Sequence, residues 1–296
     1  MGGIMSKFIN RHTATHKPLN TEQHHLPLTA NIQCEIEINH TDKLITDCAI
    51  IKDKLYFIWL DTPKIVIHNT DGTFDKEMNL SCKPLKISPI DCDTVAVLCD
   101  DGTIKLFTLP ESIEQTSINT SKNCSGLSYK DGLLYVVVNG ESIDVFSLDG
   151  IIIRTFCCPS SSIENIAVTN DQIFLTDWFH EGLYCCDLYG RIIWTCFNND
   201  QILRQGLTTD DDGNIYVAGL YSRNVFVISS NGNSQTKLLT SSNGLDLPAA
   251  IHFDKILKYL LVCNADNGHA FLFQIKHRER DLEYLTMIDI VADKML

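Results

Sequence analysis

Runs of four mostly apolar residues recur along this chain at intervals of about 40 residues. A second apolar run follows each of them about nine residues later. Runs of this length, rich in β-branched and aromatic residues and bounded by turn residues, predict β-strands. The first runs begin at Leu55, Val95, Leu134, Ile173, Ile215 and Leu260.

The clearest repeat unit spans residues 206–232 and reads GLTTDDDGNIYVAGLYSRNVFVISSNG. A short inner strand over 205–209 is followed by the two-residue turn Asp212-Gly213, a buried strand over 215–218 and its neighbour over 224–228. Asn231-Gly232 then turns into a fourth strand. Four-stranded units repeated six times at this period predict an all-β fold, a six-bladed β-propeller with antiparallel blades.

The ends of the chain suggest how the ring closes. The segment from Ile32 to Ile38 alternates apolar and polar residues and precedes the first complete blade, whereas the sixth unit has only three strands. We therefore expect this N-terminal strand to supply the missing outer strand of blade six, which removes open sheet edges. Residues 32–277 then form one propeller, residues 1–31 a disordered leader or linker remnant, and residues 278–296 a frayed or short helical tail.

The charge and the apolar pattern limit the partners. The formal net charge is −13 over 296 residues, which disfavours non-specific binding of RNA or another polyanion. No apolar run approaches the roughly 20 residues needed to span a bilayer, and no apolar core of a signal peptide is present, so a cytoplasmic protein is expected. Residues 1–6 (MGGIMS) fit the N-myristoylation pattern at Gly2, although an accidental match in a truncated chain is the simpler interpretation.

The twelve cysteines are scattered through a large sheet protein. Without an export signal they are interpreted as reduced thiols, several of them small hydrophobic residues within strands. No Cys-x-x-Cys pair is present, so no zinc site is expected.

Several stretches resemble the NHL-repeat propellers found at the C-terminus of tripartite-motif (TRIM) proteins. They are the blade motif GLTTDDDGNIYVA, the Thr176-Asp177-Trp178 turn, Gly244-Leu245 to Phe253-Asp254, and Leu261 to Asn264. The resemblance covers residues 32–276 and implies a recognition domain that binds protein partners in the ubiquitination pathway. It does not carry ligase activity over, because this chain has no RING, B-box or coiled coil. Some NHL propellers bind RNA through a basic face, which the acidic balance of this chain disfavours.

A metal-dependent lactonase or esterase is the enzymatic alternative for a six-bladed propeller. Such a centre needs several oxygen or nitrogen ligands directed into the channel, and the ends of the second strands are the place to look. Only Asp177 and Asn264 could ligate there, and Asp177 is better explained as an acceptor for N–H groups of the following turn. The run Asp210 to Asp212 is predicted to be a solvated hairpin turn. The second strands end at Trp59, Cys99, Val138, Asp177, Gly219 and Asn264. We therefore expect no catalytic residue, no cofactor and no metal.

One face of the disc is the predicted partner-binding site. Loops from second to third strands and from fourth strands to the next inner strand should emerge together on this face, because strand direction alternates within a blade. Exposed aromatic residues beside arginine are typical of interaction hot spots, although Trp178 and Phe179 could instead fill gaps between blades. Trp194, in a predicted fourth strand, is assigned to packing between blades. The predicted site residues are Trp59, Asp61, Asp100, Asp101, Asn139, Trp178, Phe179, His180, Arg204, Tyr221, Arg223, Asp266 and Asn267.

Overall fold

The protein is an all-β ring of six blades, each a sheet of four antiparallel strands. The computed structural model describes residues 26–38, 44–109, 111–121, 123–197 and 206–277. The predicted leader with Gly2, the predicted tail and Arg204 lie outside these residues, except that residues 26–31 of the leader are described. Among the described residues, no helix is long and apolar enough to cross a membrane.

Blades one to three follow the predicted repeat. Blade one contains β2 (Ile45–Ile51), β3 (Lys54–Trp59), β4 (Lys64–Asn69) and β5 (Phe74–Asn79). Blade two contains β6 (Pro84–Pro89), β7 (Thr94–Cys99), β8 (Thr103–Thr108) and β9 (Ile113–Asn119). Blade three contains β10 (Cys124–Lys130), β11 (Leu133–Val138), β12 (Ser142–Ser147) and β13 (Ile152–Cys157).

Blades four to six complete the ring. Blade four contains β14 (Ile163–Val168), β15 (Gln172–Asp177), β16 (Gly182–Asp187) and β17 (Ile192–Phe197). Blade five contains β18 (Leu207–Thr209), β19 (Ile215–Gly219), β20 (Asn224–Ile228) and β21 (Gln235–Leu239). Blade six contains β22 (Pro248–Asp254), β23 (Tyr259–Asn264) and β24 (His269–His277), with β1 (Leu28–Glu37) as its outer strand.

The N-terminal strand closes the ring as the sequence predicts. β1 pairs with β24 from Leu28 opposite His277 to Glu37 opposite His269. The strand begins four residues before the predicted start at Ile32. The N–H of Leu26 also donates to Oγ1 of Thr236 in blade five, at 3.0 Å. The first and last described strands thus belong to one sheet, so blade six has the same number of strands as the others.

Apolar side chains fill the junctions between blades. The buried hydrophobic residues form a cluster at each of the six junctions, because both faces of every sheet pack against a neighbouring sheet. Trp194 belongs to such a junction, as predicted: its ring packs against Phe174, and its Nε1 donates to the carbonyl of Ser230 at 3.0 Å. Gly232 lies against this ring with a φ of 71°, so a side chain there would meet both a steric and a conformational barrier.

A second set of contacts joins the inner strands around the channel. At four junctions a side chain of one blade accepts a backbone N–H of the next blade, with distances between 3.0 and 3.2 Å. The acceptor–donor pairs are Ser88 with Tyr129, Ser128 with Val168, Thr208 with Phe253, and His252 with Ile50. These bonds satisfy N–H groups at the free edge of four inner strands, those of blades one, three, four and six.

The other two junctions vary this pattern in a way that the register explains. In blade one the equivalent acceptor position is Ala49, and the equivalent donor position in blade two is Pro89, which has no N–H. Asp47 bonds the N–H of Ile87 there instead, at 2.9 Å. Between blades four and five the acceptor position is Ala167, which offers no acceptor to the backbone of Thr209.

Two cysteines differ from the sequence-based prediction. Cys82 and Cys99 form a disulfide with Cα atoms 5.9 Å apart, whereas reduced thiols were expected throughout. Cys82 lies in the loop that enters blade two, and Pro84 pairs with Cys99 in the first two strands of that blade. The register therefore brings together two thiols that the sequence separates by 17 residues.

Candidate functional site

The two faces of the disc carry different loops. The loop face consists of the loops from second to third strands and from fourth strands to the next blade, and the turn face carries the remaining connections. Predicted site residues Asp61, Asp100, Asn139 and Asp266 lie exposed in loop-face connections, and Asp101 lies beside Asp100. Asn267 is half-buried there, and its Oδ1 accepts the N–H of His269 at 3.0 Å.

Trp59 is the exception among the described site residues. It is the last residue of β3 and pairs with Ile45 of β2, so its side chain still lies within the sheet. Its exposed fraction is 1%, and it packs in the apolar cluster between blades six and one. The prediction that Trp59 belongs to an exposed binding surface is therefore wrong.

Exposed aromatic residues concentrate on blades four and five. The exposed fractions of Trp178, Phe179 and Tyr221 are 51%, 66% and 58%. The rings of Trp178 and Phe179 meet edge to face at 6.0 Å, and Phe179 meets the imidazole of His180 in the same way at 5.1 Å. Neither Trp178 nor Phe179 is buried in a blade junction, so these side chains are available to a partner.

Asp177 holds the loop that carries Trp178. Its carboxylate is completely buried and accepts the N–H groups of Phe179 and His180 at 3.0 and 2.9 Å. The hydroxyl of Ser162 donates to the same carboxylate at 2.6 Å. Burial alone would raise the pKa of Asp177, but these hydrogen bonds, together with those from Ser160 and the His180 ring, hold the pKa below its ordinary value. The sequence-based interpretation of Asp177 as an acceptor for the turn is confirmed.

Ser162, His180 and Asp177 do not have the geometry of a catalytic relay. A relay places the imidazole between hydroxyl and carboxylate, with one partner on each ring nitrogen. Here Nδ1 of His180 lies 2.9 Å from Asp177 and 3.4 Å from the hydroxyl of Ser162, so one nitrogen faces both groups. Ser162 donates directly to the carboxylate instead. The arrangement orders a loop and leaves no activated hydroxyl.

Asn264, the other candidate ligand, is used in the same structural way. It is completely buried, its Oδ1 accepts the N–H of Asp246 at 2.9 Å, and its Nδ2 donates to the carbonyl of Gly244 at 3.2 Å. Within the described residues, no group of three or more His, Cys, Asp or Glu side chains could hold a metal ion.

The acidic run at Asp210 differs from its prediction. Asp210 is only 6% exposed and accepts hydrogen bonds from the Asn214 backbone and amide and from the Tyr216 hydroxyl, at 2.8 to 3.1 Å. Its neighbours Asp211 and Asp212 are exposed on the turn face, where they contact Lys258 and His277. Only the last two carboxylates are therefore solvated, because the first one closes the turn from within.

A groove of about 590 Å³ lies beside Trp178 on the loop face. It is bordered by the predicted residues Asn139 and Trp178 from adjacent blades, and by side chains that the sequence analysis did not single out. The run of three serines before β14 was the available signal, since such loops share a face with Trp178. The additional lining residues are Asn123, Ser125, Gly140, Ser161, Ser162, Ile163 and Glu164.

Arg223 lies on the next blade, in the loop after β19. Its Nε is 3.2 Å from Oδ1 of Asp246, and both side chains are about half exposed. This arginine and Lys83 are the cations of the described loop-face connections, and Lys83 is paired with Asp61 at 2.9 Å. The carboxylates of these connections are more numerous: Asp61, Asp100, Asp101, Glu141, Glu181, Asp246 and Asp266. The described part of the loop face is therefore acidic.

No protein-family model matches the chain, and no curated protein matches its sequence. Solved structures do match. A β-propeller domain of Cps50 (Swd1) from Myceliophteria thermophila is 10% identical with a TM-score of 0.59, covering 78% of this chain and 83% of that one.

Two further structures are similar to this chain. A protein of unknown function from Bacteroides thetaiotaomicron is 12% identical with a TM-score of 0.66, covering 84% of this chain and 76% of that one. Glutaminyl cyclase from Myxococcus xanthus is 11% identical with a TM-score of 0.56, covering 85% of this chain and 98% of that one. At these identities the similarities support the β-propeller fold and leave the function open.

Proposed function

We propose that this protein is a non-catalytic recognition module that binds a protein partner through its loop face. The observation that carries the proposal is the exposure of Trp178, Phe179 and Tyr221 on adjacent blades, where Trp178 also borders a groove lined by hydroxyl and amide groups. Aromatic side chains on firmly held loops are typical anchors of protein interfaces. A role like that of the substrate-recognition propellers of TRIM-NHL proteins agrees with this surface.

The charge of the loop face favours one kind of partner. Its described connections carry seven carboxylates against two cations, and both cations are already paired with carboxylates of the same face. Complementary potentials favour encounter with a positively charged segment and oppose a polyanion. A peptide segment rich in Lys and Arg is therefore the expected ligand, and RNA is disfavoured. Arginine side chains could also stack on the exposed rings of Trp178 and Phe179.

A random-peptide display selection on the purified protein tests this proposal. The selected peptides should be enriched in Lys and Arg, and their affinity, measured by fluorescence anisotropy, should fall as salt rises. Trp178→Ala should weaken binding by about 1–4 kcal/mol while the melting temperature changes little. Tyr189→Ala is the matched control, since Tyr189 is an exposed aromatic residue on the turn face.

Two outcomes would contradict the proposal. If Trp178→Ala lowered the melting temperature strongly but left peptide binding intact, Trp178 would serve packing instead of recognition. If a homopolymeric RNA bound with submicromolar affinity and a steep salt dependence, the basic-peptide preference would be wrong.

A further inference from the structure

An axial cavity of about 890 Å³ lies at the centre of the ring. All six inner strands line it, and so do the turns that follow the inner strands of blades one, two, three and six. Those turns belong to the turn face, and Gly206, directly before β18, is the one lining residue from a loop-face connection. The cavity therefore opens away from the proposed partner site, and its volume is within the range of small-molecule sites.

The floor of the cavity is closed by polar groups that already have partners. Nζ of Lys86, from blade two, lies 2.6 Å from Oδ1 of Asn165 in blade four and 3.4 Å from the carbonyl of Thr46 in blade one. Blades two and four are not neighbours, so this side chain crosses the channel. Burial raises the pKa of the adjacent Asp47, and the positive charge of Lys86 partly offsets this rise. The floor is thus internally satisfied.

The walls are largely apolar. Ile50, Ile90, Val168 and Phe253 of the inner strands and the turns that follow them line the cavity, and Ile256 lines its mouth. The hydroxyl oxygens of Ser88, Ser128 and Thr208 in the wall already accept backbone N–H groups of neighbouring blades. An apolar ligand body inside would gain from burial against the apolar side chains.

The mouth holds one cation that lacks a counterion among the described residues. Lys52 is paired with Asp93, and Lys130 lies 3.2 Å from Asp131. Nζ of Lys255 instead has only a 3.5 Å contact with Oγ1 of Thr209, and no carboxylate of the described residues lies within ion-pair distance. Burial lowers the pKa of Lys255, the charge of Lys130 lowers it further, and the carboxylate of Asp210 partly opposes both effects. Lys130 and Lys255 come from blades three and six, on opposite sides of the channel.

Carboxylates at the same mouth limit the charge of a ligand. Asp53, Asp91, Asp131 and Asp254 line the cavity together with the lysines. Asp254 accepts the N–H groups that follow it in its own turn, and Asp91 does the same. These groups would repel a multiply charged anion, so a ligand here can carry at most one negative charge, placed directly between the two ammonium groups.

We propose that the axial cavity binds a small organic monocarboxylate, with the carboxylate between Lys130 and Lys255 and an apolar body along the walls. This site is independent of the loop face, so either proposal can fail without the other.

Octanoate is the probe for this site, measured by isothermal titration calorimetry on the full chain. Wild-type protein should bind it saturably, and Lys255→Met should weaken binding at least tenfold. Lys258→Met is the matched control, because Lys258 lies three residues away on the turn face, pairs with Asp211 and does not line the cavity. Octanamide, which has the same length without the charge, should bind much more weakly.

A second measurement uses the wild-type protein, so it does not depend on whether a variant folds. Octanoate should slow the acylation of Lys255 by an amine-reactive ester, measured by peptide mass spectrometry, and leave that of Lys258 unchanged. The proposal would be overturned if octanoate did not bind saturably, or if it bound wild-type protein and Lys255→Met with equal affinity. It would also be overturned if octanamide bound as tightly as octanoate, or if octanoate left the acylation rate of Lys255 unchanged.

Discussion

At the scale of single residues, side chains of the inner strands accept backbone N–H groups of the neighbouring blade, in place of a paired strand. His252 is the most informative of these, because it joins the last blade to the first: its Nδ1 accepts the N–H of Ile50 at 3.1 Å. Burial lowers the pKa of His252 from 6.5 to about 4, with Asp254 opposing and Lys255 adding to the effect. A protonated imidazole has no acceptor, so the bond requires the neutral ring.

Acid should therefore weaken the folded state through His252. Its pKa is lower in the folded than in the unfolded chain, so the associated loss of stability begins as pH falls below 6.5 and is complete near pH 4. Between pH 7.5 and 4.5 we expect a loss on the order of 2–3 kcal/mol from this group. Chemical denaturation at both pH values should show that His252→Asn, which keeps an acceptor without titrating, loses less unfolding free energy between them than the wild type. His277→Asn, an exposed control on the turn face, should lose as much as the wild type.

The junction between blades four and five offers a second prediction at this scale. Ala167 occupies the acceptor position opposite Thr209, so Ala167→Ser should add one hydrogen bond to the ring. A gain of about 0.5–1.5 kcal/mol in the free energy of unfolding is expected by urea denaturation. Ala49→Ser is the control, because it faces Pro89, which has no N–H. If both substitutions changed the free energy of unfolding equally, the gain would not come from a new hydrogen bond between blades four and five.

At the scale of elements, β1 and its pairing with β24 decide whether the ring is closed. The pairing runs from residue 28 to residue 37 and covers the outer edge of blade six. A long, apolar, unpaired edge strand promotes association with other chains. The closure therefore contributes to solubility as well as to stability.

Deleting residues 1–38 should expose the edge of β24 and cause aggregation, measured by light scattering and size-exclusion chromatography. Deleting residues 1–25 removes none of the described strand contacts and should leave the melting temperature unchanged. A monomeric 1–38 deletion with a wild-type melting temperature would show that closure by β1 is dispensable.

At the scale of the whole molecule, the loop face and the channel that opens on the turn face have different chemical character. The loop face presents aromatic side chains in acidic surroundings, whereas the channel opens on the turn face and contains an ammonium group without a counterion among the described residues. The Asp177 and Asn264 side chains, which the enzymatic alternative would need as ligands, are bonded within their own loops. The proposed absence of catalysis rests on this use of the two groups.

Chelation should consequently leave the protein unchanged. A cation bound only by the native state stabilises it, so its removal would lower the melting temperature. We expect EDTA to have no effect in differential scanning fluorimetry. A marked fall, accompanied by hydrolysis of model lactones or esters, would support a metal-dependent hydrolase instead.

The sequence by itself determined the number of blades, the strands of each blade and the closure by β1, because a period of about 40 residues and a local alternation of apolar positions are one-dimensional signals. It also placed Asp177 and Trp178 correctly at the end of a strand. Burial and pairing across the ring depend on neighbours that are distant in sequence. Only the tertiary structure therefore decided that Trp59 and Asp210 are buried, that Cys82 meets Cys99, and that Lys130 faces Lys255 across the channel.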